Sequence, residues 1–197
     1  MRYPVVVGVW LYTAGLMEVA ASDAIPRGRA RLIVLRGNSG AGKSTVAGEL
    51  RAKLGRGVAI VDQDTVRRKL LREHDVEHGV NIGLIEHIVR YTLASDYVVI
   101  LEGILHAGRY GEMLRRLHHD FGGSWYFLQV GWDESLRRHQ TRPQRTEFTP
   151  EQMREFPRAD LLDGVDEQIV PQHSTAAETV QQILTENGRW LGCQCGW

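Results

Sequence analysis

Lysine is nearly missing from this chain: of its 24 basic residues three are lysines, Lys43, Lys53 and Lys69, and the rest are arginines. Anions would therefore meet mostly planar, forked guanidinium groups, although the bias proves no function by itself. Acidic residues also number 24, so the formal charge is zero. That balance excludes a global positive field able to recruit nucleic acid or an anionic membrane. Cysteine is as scarce, with Cys193 and Cys195 alone in the tail Arg189 to Trp197. Two cysteines cannot form a disulfide framework, which points to a reducing cytoplasm. The C-x-C pair also lacks the two further ligands a zinc site needs. The mostly apolar run from Val5 to Met17 is too short for a bilayer, which takes about 20 residues. Together with Arg2 and the small residues Val19-Ala20-Ala21 it loosely copies a signal peptide. Internal repeats and low-complexity segments are absent.

What remains is an ordinary globular composition: 197 residues, 43% hydrophobic, enough for one domain with a sizeable core. We expect an N-terminal extension over 1–30, with Ser22 to Arg31 as its linker, a domain over 31–187, and a tail over 188–197.

The most specific feature is Gly37-Asn38-Ser39-Gly40-Ala41-Gly42-Lys43-Ser44-Thr45, a match to G-x-x-x-x-G-K-[ST]. It follows the apolar run Leu32 to Leu35 and precedes Val46, Ala47, Leu50 and Leu54 at helical spacing, the strand, loop and helix that a phosphate-binding loop requires. Side chains at Gly37, Gly40 and Gly42 would block the approach of backbone N–H groups to phosphate oxygens. The helix that follows aims its first free amides at the same anion. Lys43 supplies a charge for the β- and γ-phosphates of ATP, and the Ser44 hydroxyl is the expected Mg²⁺ ligand. An ATP site also makes export improbable, so the first 30 residues read as a dispensable extension.

From Arg31 onward apolar runs alternate with amphipathic ones, the pattern of a mostly parallel sheet with helices on both faces. Further strands are expected at Val58–Val61, Tyr97–Leu101, Trp125–Val130 and Gln168–Val170. Thr65 to Glu73 reads as a polar helix. Ile82, Ile85, Ile88, Val89 and Leu93 mark one longer helix, and Tyr110, Met113, Leu114, Leu117 and Phe121 another. Capping boxes begin at Thr149 and at Thr175.

Three carboxylates fall at strand ends, the edge where open α/β sheets bind ligands. Asp62 and Asp64 follow the second strand. Either could take the proton of an attacking hydroxyl or anchor an acceptor, and Asp64 could also simply cap the helix at Thr65. Glu102 ends the third strand, where a carboxylate after five apolar residues is costly to bury without a task such as supporting Mg²⁺. After the fourth strand, Arg138 and Arg142 share one helical face inside a lid expected around 135–150, placed to close over the γ-phosphate. Arg137 and Arg145 are weaker members of the same cluster. His74-Asp75-Val76-Glu77-His78 spells an inverted zinc-protease pattern, but Gly79 interrupts any helix that would carry it.

On these residues, the stretch from Arg31 to Asn187 resembles the P-loop small-molecule kinases, including adenylylsulfate, shikimate and gluconate kinases, chloramphenicol phosphotransferase and zeta-toxin-like kinases. Asp62-Gln63-Asp64-Thr65-Val66-Arg67 is similar to the D-x-D-x-V-R element of adenylylsulfate kinase, and Arg138-x-x-x-Arg142 to the lid arginines of the group. Overall the chain is similar to bacterial AAA-family ATPases and kinases. The resemblance implies a three-layer α/β fold with strand order 2-3-1-4-5, ATP and Mg²⁺, and transfer of phosphate to a small-molecule hydroxyl in the cytoplasm. A metabolite, an antibiotic and a nucleotide-sugar are all compatible acceptors; no nucleic acid or membrane partner is expected. Adenylylsulfate-kinase features beyond Glu102 are absent, so that acceptor is not carried over. An ATP-binding switch without an acceptor and a polynucleotide 5′-hydroxyl kinase are the alternatives. The lack of a base-reading N-K-x-D segment argues against a regulatory GTPase.

Overall fold

In the computed structural model, residues 32–140 and 160–191 are described. The expected extension over 1–30, Arg142 and Arg145, the cap at Thr149 and the pair Cys193 and Cys195 lie outside the described residues. Strict alternation splits the first strand, β1 (Leu32–Arg36), between two cores: Leu32 and Val34 face one way, Ile33 and Leu35 the other, and every position is buried. β1 lies between β3 (Val98–Gly103) and β4 (Ser124–Leu128), with β2 (Val58–Asp62) outside β3 and β5 (Glu167–Val170) outside β4. All pairs are parallel and the order is β2-β3-β1-β4-β5, as the resemblance to the P-loop kinases implies. Burial on both faces explains why β1 and β3 read as nearly unbroken apolar runs.

On one face, Leu32, Val34, Val99, Leu101 and Trp125 pack against α2 (Val80–Ala94) and α3 (Ala107–Phe121) through Ile85, Val89, Met113 and Leu117. On the other, Ile33, Leu35, Ile100, Tyr126 and Leu128 lie under α1 (Lys43–Leu54) and α5 (Ala176–Leu191). Each fully buried aliphatic side chain contributes about 1.5–3 kcal/mol, so both faces of the sheet are held firmly against their helices. Thr175 and Glu178 form the expected reciprocal cap of α5: Thr175 N–H donates to Glu178 Oε2 at 2.8 Å and Glu178 N–H to Thr175 Oγ1 at 3.2 Å.

Two segments differ from the periodicity reading. The polar helix after β2 is a short, wide π-helical turn, Thr65–Leu71, ended by Arg72 in the left-handed conformation (φ 57°) rather than running to Glu73. Residues 73–79 then have no helical structure, so His74 and His78 are not presented one turn apart on a helix. The second difference is β3, which continues through Glu102 and Gly103. Glu102 is thereby a member of the sheet, in register with Leu35 of β1 and Asp62 of β2.

Candidate active site

The loop over Gly37 to Gly42 joins β1 to α1, and its three glycines serve different ends. Gly37 (φ +140°) lies against β4, where a Cβ would come within 2.3 Å of the Leu128 carbonyl oxygen. Gly42 (φ +93°) would meet nothing within 4 Å, so its requirement is the left-handed backbone itself. Gly42 is also the N-cap of α1 and offers no side chain to its amides, while the first turn carries no acidic residue. The opening amides of α1 are therefore left for an external anion.

Lys43, buried at 8% exposure, folds back so that Nζ donates to the carbonyls of Gly37 and Asn38, each at 2.9 Å. The ammonium is held over the loop that it would share with a phosphate. Glu102, 3% exposed, lies beside Lys43 and the Ser44 hydroxyl. Burial pushes its carboxyl above the usual carboxylate range, Lys43 and Ser44 pull it back, and the charges of Asp62 and Asp64 add to the rise. Sequence positions 43, 44, 62, 64 and 102 thus converge on one edge of the sheet. A hydroxyl beside a buried carboxylate is a fitting oxygen donor set for Mg²⁺, which binds through few protein oxygens and keeps much of its water.

Asp62 and Asp64 part company. Asp62 spends one oxygen on the Asp64 N–H (2.9 Å) and the other on the Thr65 hydroxyl (2.7 Å), so the turn is closed by Asp62. Asp64 makes no side-chain cap. Its carboxylate is 56% exposed and pairs with Arg67 at 2.8 Å and Arg68 at 3.2 Å. Between them, Gln63 is buried and accepts the Leu105 N–H at 2.9 Å, which ties the end of β2 to the loop after β3.

Arg138 stands on α4 (Trp132–Gln140), where Nε donates to Glu134 at 2.6 Å and Nη2 to the Gln172 carbonyl at 2.8 Å. Hydrogen bonds from Arg137 and Arg138 hold the Glu134 carboxyl down at about 2. Arg138 lines a cavity of about 190 Å³ beside the phosphate loop, walled also by Gly42, Thr45, Leu128, Gln172 and Thr179. Arg142 lies outside the described residues. Among the described residues no group of three or more His, Cys, Asp or Glu side chains could hold a metal ion.

Sequence reasoning missed several residues near this edge. Asn81 is fully buried on the apolar stripe of α2; its Nδ2 donates to the Tyr110 hydroxyl at 2.7 Å, which donates to Asp75 Oδ1 at 2.8 Å. Arg109 pairs with the other Asp75 oxygen at 3.0 Å. Arg36, fully buried one residue before the loop, makes a two-pronged bond to Glu167 (2.7 Å each) and donates to the carbonyls of Leu105 and Asp160. A polar residue in register with Ile85 and Val89 was the available signal for Asn81. Nothing local marked Arg36, whose partner is 131 residues away.

Residues 32–159 match the sequence model of the AAA domain family. The chain belongs to this family. Among curated proteins no sequence matches it significantly. Solved structures similar to this family member include the APS kinase of Mycobacterium tuberculosis in complex with AMPPNP and APS, at 19% identity and a TM-score of 0.59, covering 80% of this chain and 96% of that one. The gluconokinase of Sinorhizobium meliloti 1021 is also 19% identical, with a TM-score of 0.58 and coverage of 83% and 95%. The shikimate kinase of Aquifex aeolicus is 22% identical, with a TM-score of 0.50 and coverage of 82% and 99%. At these identities the likeness establishes the fold, that of the P-loop small-molecule kinases. Among the described residues no helix of the family member is long and apolar enough to cross a membrane.

Proposed function

We propose that this protein is an ATP-dependent phosphotransferase that moves the γ-phosphate to a hydroxyl of a small-molecule acceptor with the help of Mg²⁺. The observation that carries the reading is the placement of the buried Glu102 beside Lys43 and Ser44, because it brings a carboxylate from another strand to the phosphate loop. Lys43 and the amides of Gly40 to Thr45 hold the β- and γ-phosphates, with Lys43 exchanging loop carbonyls for phosphate oxygens. Ser44 and Glu102 would hold Mg²⁺, which when bound neutralises charge on the bridging oxygens. Asp62 shapes the turn after β2, and the exposed Asp64 orients the acceptor hydroxyl or takes its proton. The cavity beside the loop takes the nucleoside, with Arg138 in its wall. For Arg138 to close over the transferred group it would have to leave both Glu134 and the Gln172 carbonyl.

The test is ADP release from Mg²⁺-ATP across a panel of sugars, nucleosides, cofactor precursors and hydroxylated antibiotics. Release that depends on one acceptor and vanishes in Lys43→Ala supports the reading. Hydrolysis that no acceptor alters would instead favour a switch, and an absence of heat on titration with ATP would remove the nucleotide site altogether. Asp64→Asn should lower kcat more than it weakens ATP, and a pure loss of ATP affinity would take Asp64 out of the acceptor half.

A further inference from the structure

The middle glycine of the loop answers to a neighbour outside it. A Cβ on Gly40 would lie 3.1 Å from both the carbonyl oxygen and the hydroxyl of Ser135 and 3.2 Å from its Cα, so α4 rests directly on the loop at this residue. Ser135 is 4% exposed, and its hydroxyl donates to the Ser39 carbonyl at 2.5 Å, across 96 positions of sequence. The same helix reaches the far wall of the cavity: Arg138 donates to the Gln172 carbonyl, and Gly131 N–H, just before α4, to Gln172 Oε1 at 3.0 Å. α4 and the residue before it thus form a strut between the phosphate loop and the loop after β5.

A peptide unit is planar and trans, so its C=O and N–H point to opposite sides. Fixing the Ser39 carbonyl toward α4 turns the Gly40 N–H away from that helix. We infer that Ser135 is a positioning residue: its hydroxyl holds the Ser39–Gly40 peptide in the orientation that offers the Gly40 N–H to the phosphate chain, and so couples the seat of α4 to the loop's grip on a triphosphate. The inference rests on the reading of Gly37 to Thr45 as a triphosphate site. Preorganised amides bind an anion without first having to reorient. Without the Ser135 hydroxyl the Ser39 carbonyl loses this partner, and the peptide is less firmly held.

Titration calorimetry of the full chain with inorganic tripolyphosphate and Mg²⁺ tests this. Ser135→Ala should weaken tripolyphosphate about three- to tenfold, the factor that an ordinary hydrogen bond confers. The pair Ser135→Thr and Ser135→Val, alike in shape and different in the hydroxyl, separates positioning from packing and serves also if the alanine variant does not fold. Threonine should stay within about twofold of wild type, and valine should fall below threonine by about the factor expected for alanine. Equal affinities for threonine and valine, or an alanine variant that binds as wild type does, would overturn the role of Ser135 while leaving the site intact. A wild-type protein that binds neither tripolyphosphate nor ATP would overturn the triphosphate reading on which the inference stands.

Discussion

The proposed phosphate half of the crevice is built mainly of backbone, and the proposed acceptor half of side chains paired with one another. On the first side, three glycines, the uncapped start of α1 and two loop carbonyls do the shaping, with Lys43 and Ser44 as side chains from the loop itself. On the second, Asp64 is matched to Arg67 and Arg68, Asp75 to Arg109 and Tyr110, and Asn81 to Tyr110. A backbone cradle depends on chain geometry and tolerates little beyond glycine. A paired network can change its members together, and it transmits the loss of one to its neighbours. The first half should therefore respond to substitution by losing chemistry, the second by losing order as well.

Lys43→Ala gives the sharpest form of that contrast. Phosphotransfer should fall by about 10²- to 10³-fold or more, the scale for removing a preorganised cation or donor from a developing charge. The fold should persist, because the Lys43 ammonium donates to the Gly37 and Asn38 carbonyls of its own loop and holds no element of the core in place. Circular dichroism and the thermal midpoint check the second clause, and a variant that unfolds would dissolve the distinction between the halves.

Glu167→Ala reverses the pattern. Arg36 and Glu167 are 0% and 2% exposed, and removing the carboxylate strands a buried guanidinium. Loss of one partner of a buried pair costs about 3–5 kcal/mol, so denaturant titration should show a large drop in stability. Activity per folded molecule should change less, since Arg36 stands behind the loop and retains the Leu105 and Asp160 carbonyls.

Glu102 belongs to both halves by contact and gives an effect of either sign. Glu102→Gln should lower turnover by about 10- to 100-fold, the range for groups that orient a metal's ligands. Its stability should move the other way. Burial raises the Glu102 carboxyl above its ordinary value, so the folded state binds a proton more readily than the unfolded one, and stability is lost as pH rises from the unfolded pKa through the raised folded one. The glutamine variant does not titrate there. Its thermal midpoint should exceed that of wild type near pH 7, with the gap closing toward pH 4. A gap that widens on acidification would contradict the burial argument.

The legibility of the sequence follows the same division. The strands and the phosphate loop were readable because both depend on local pattern, apolar runs, glycines at fixed offsets and a helix beginning at Lys43, whereas strand order came from the resemblance to the P-loop kinases. Glu102 was readable from its place after an apolar run, and its nearness to Lys43 and Ser44 came from the pairing of β1 with β3. Ser135, Gln63 and the Arg36–Glu167 pair were not, since each is defined by a partner 42 to 131 residues away and carries no local signature. The wide turn over Thr65–Leu71 escaped because periodicity distinguishes a helix from a strand and not one helical winding from another.

Asp62 offers the smallest and most discriminating change. Its carboxylate satisfies the Asp64 N–H and the Thr65 hydroxyl, a capping task that asparagine can largely share through its side-chain oxygen and alanine cannot. Asp62→Ala should therefore cost about 1 kcal/mol of stability, and Asp62→Asn only a few tenths. If Asp62 serves only the turn, turnover in Asp62→Asn stays close to wild type while Asp64→Asn falls, and the acceptor half reduces to Asp64 and its arginines. If Asp62→Asn loses turnover at unchanged stability and unchanged ATP affinity, the negative charge at 62 acts on the reaction itself. The two carboxylates would then divide the work between them, and the capping bonds seen here would describe the state before the acceptor arrives.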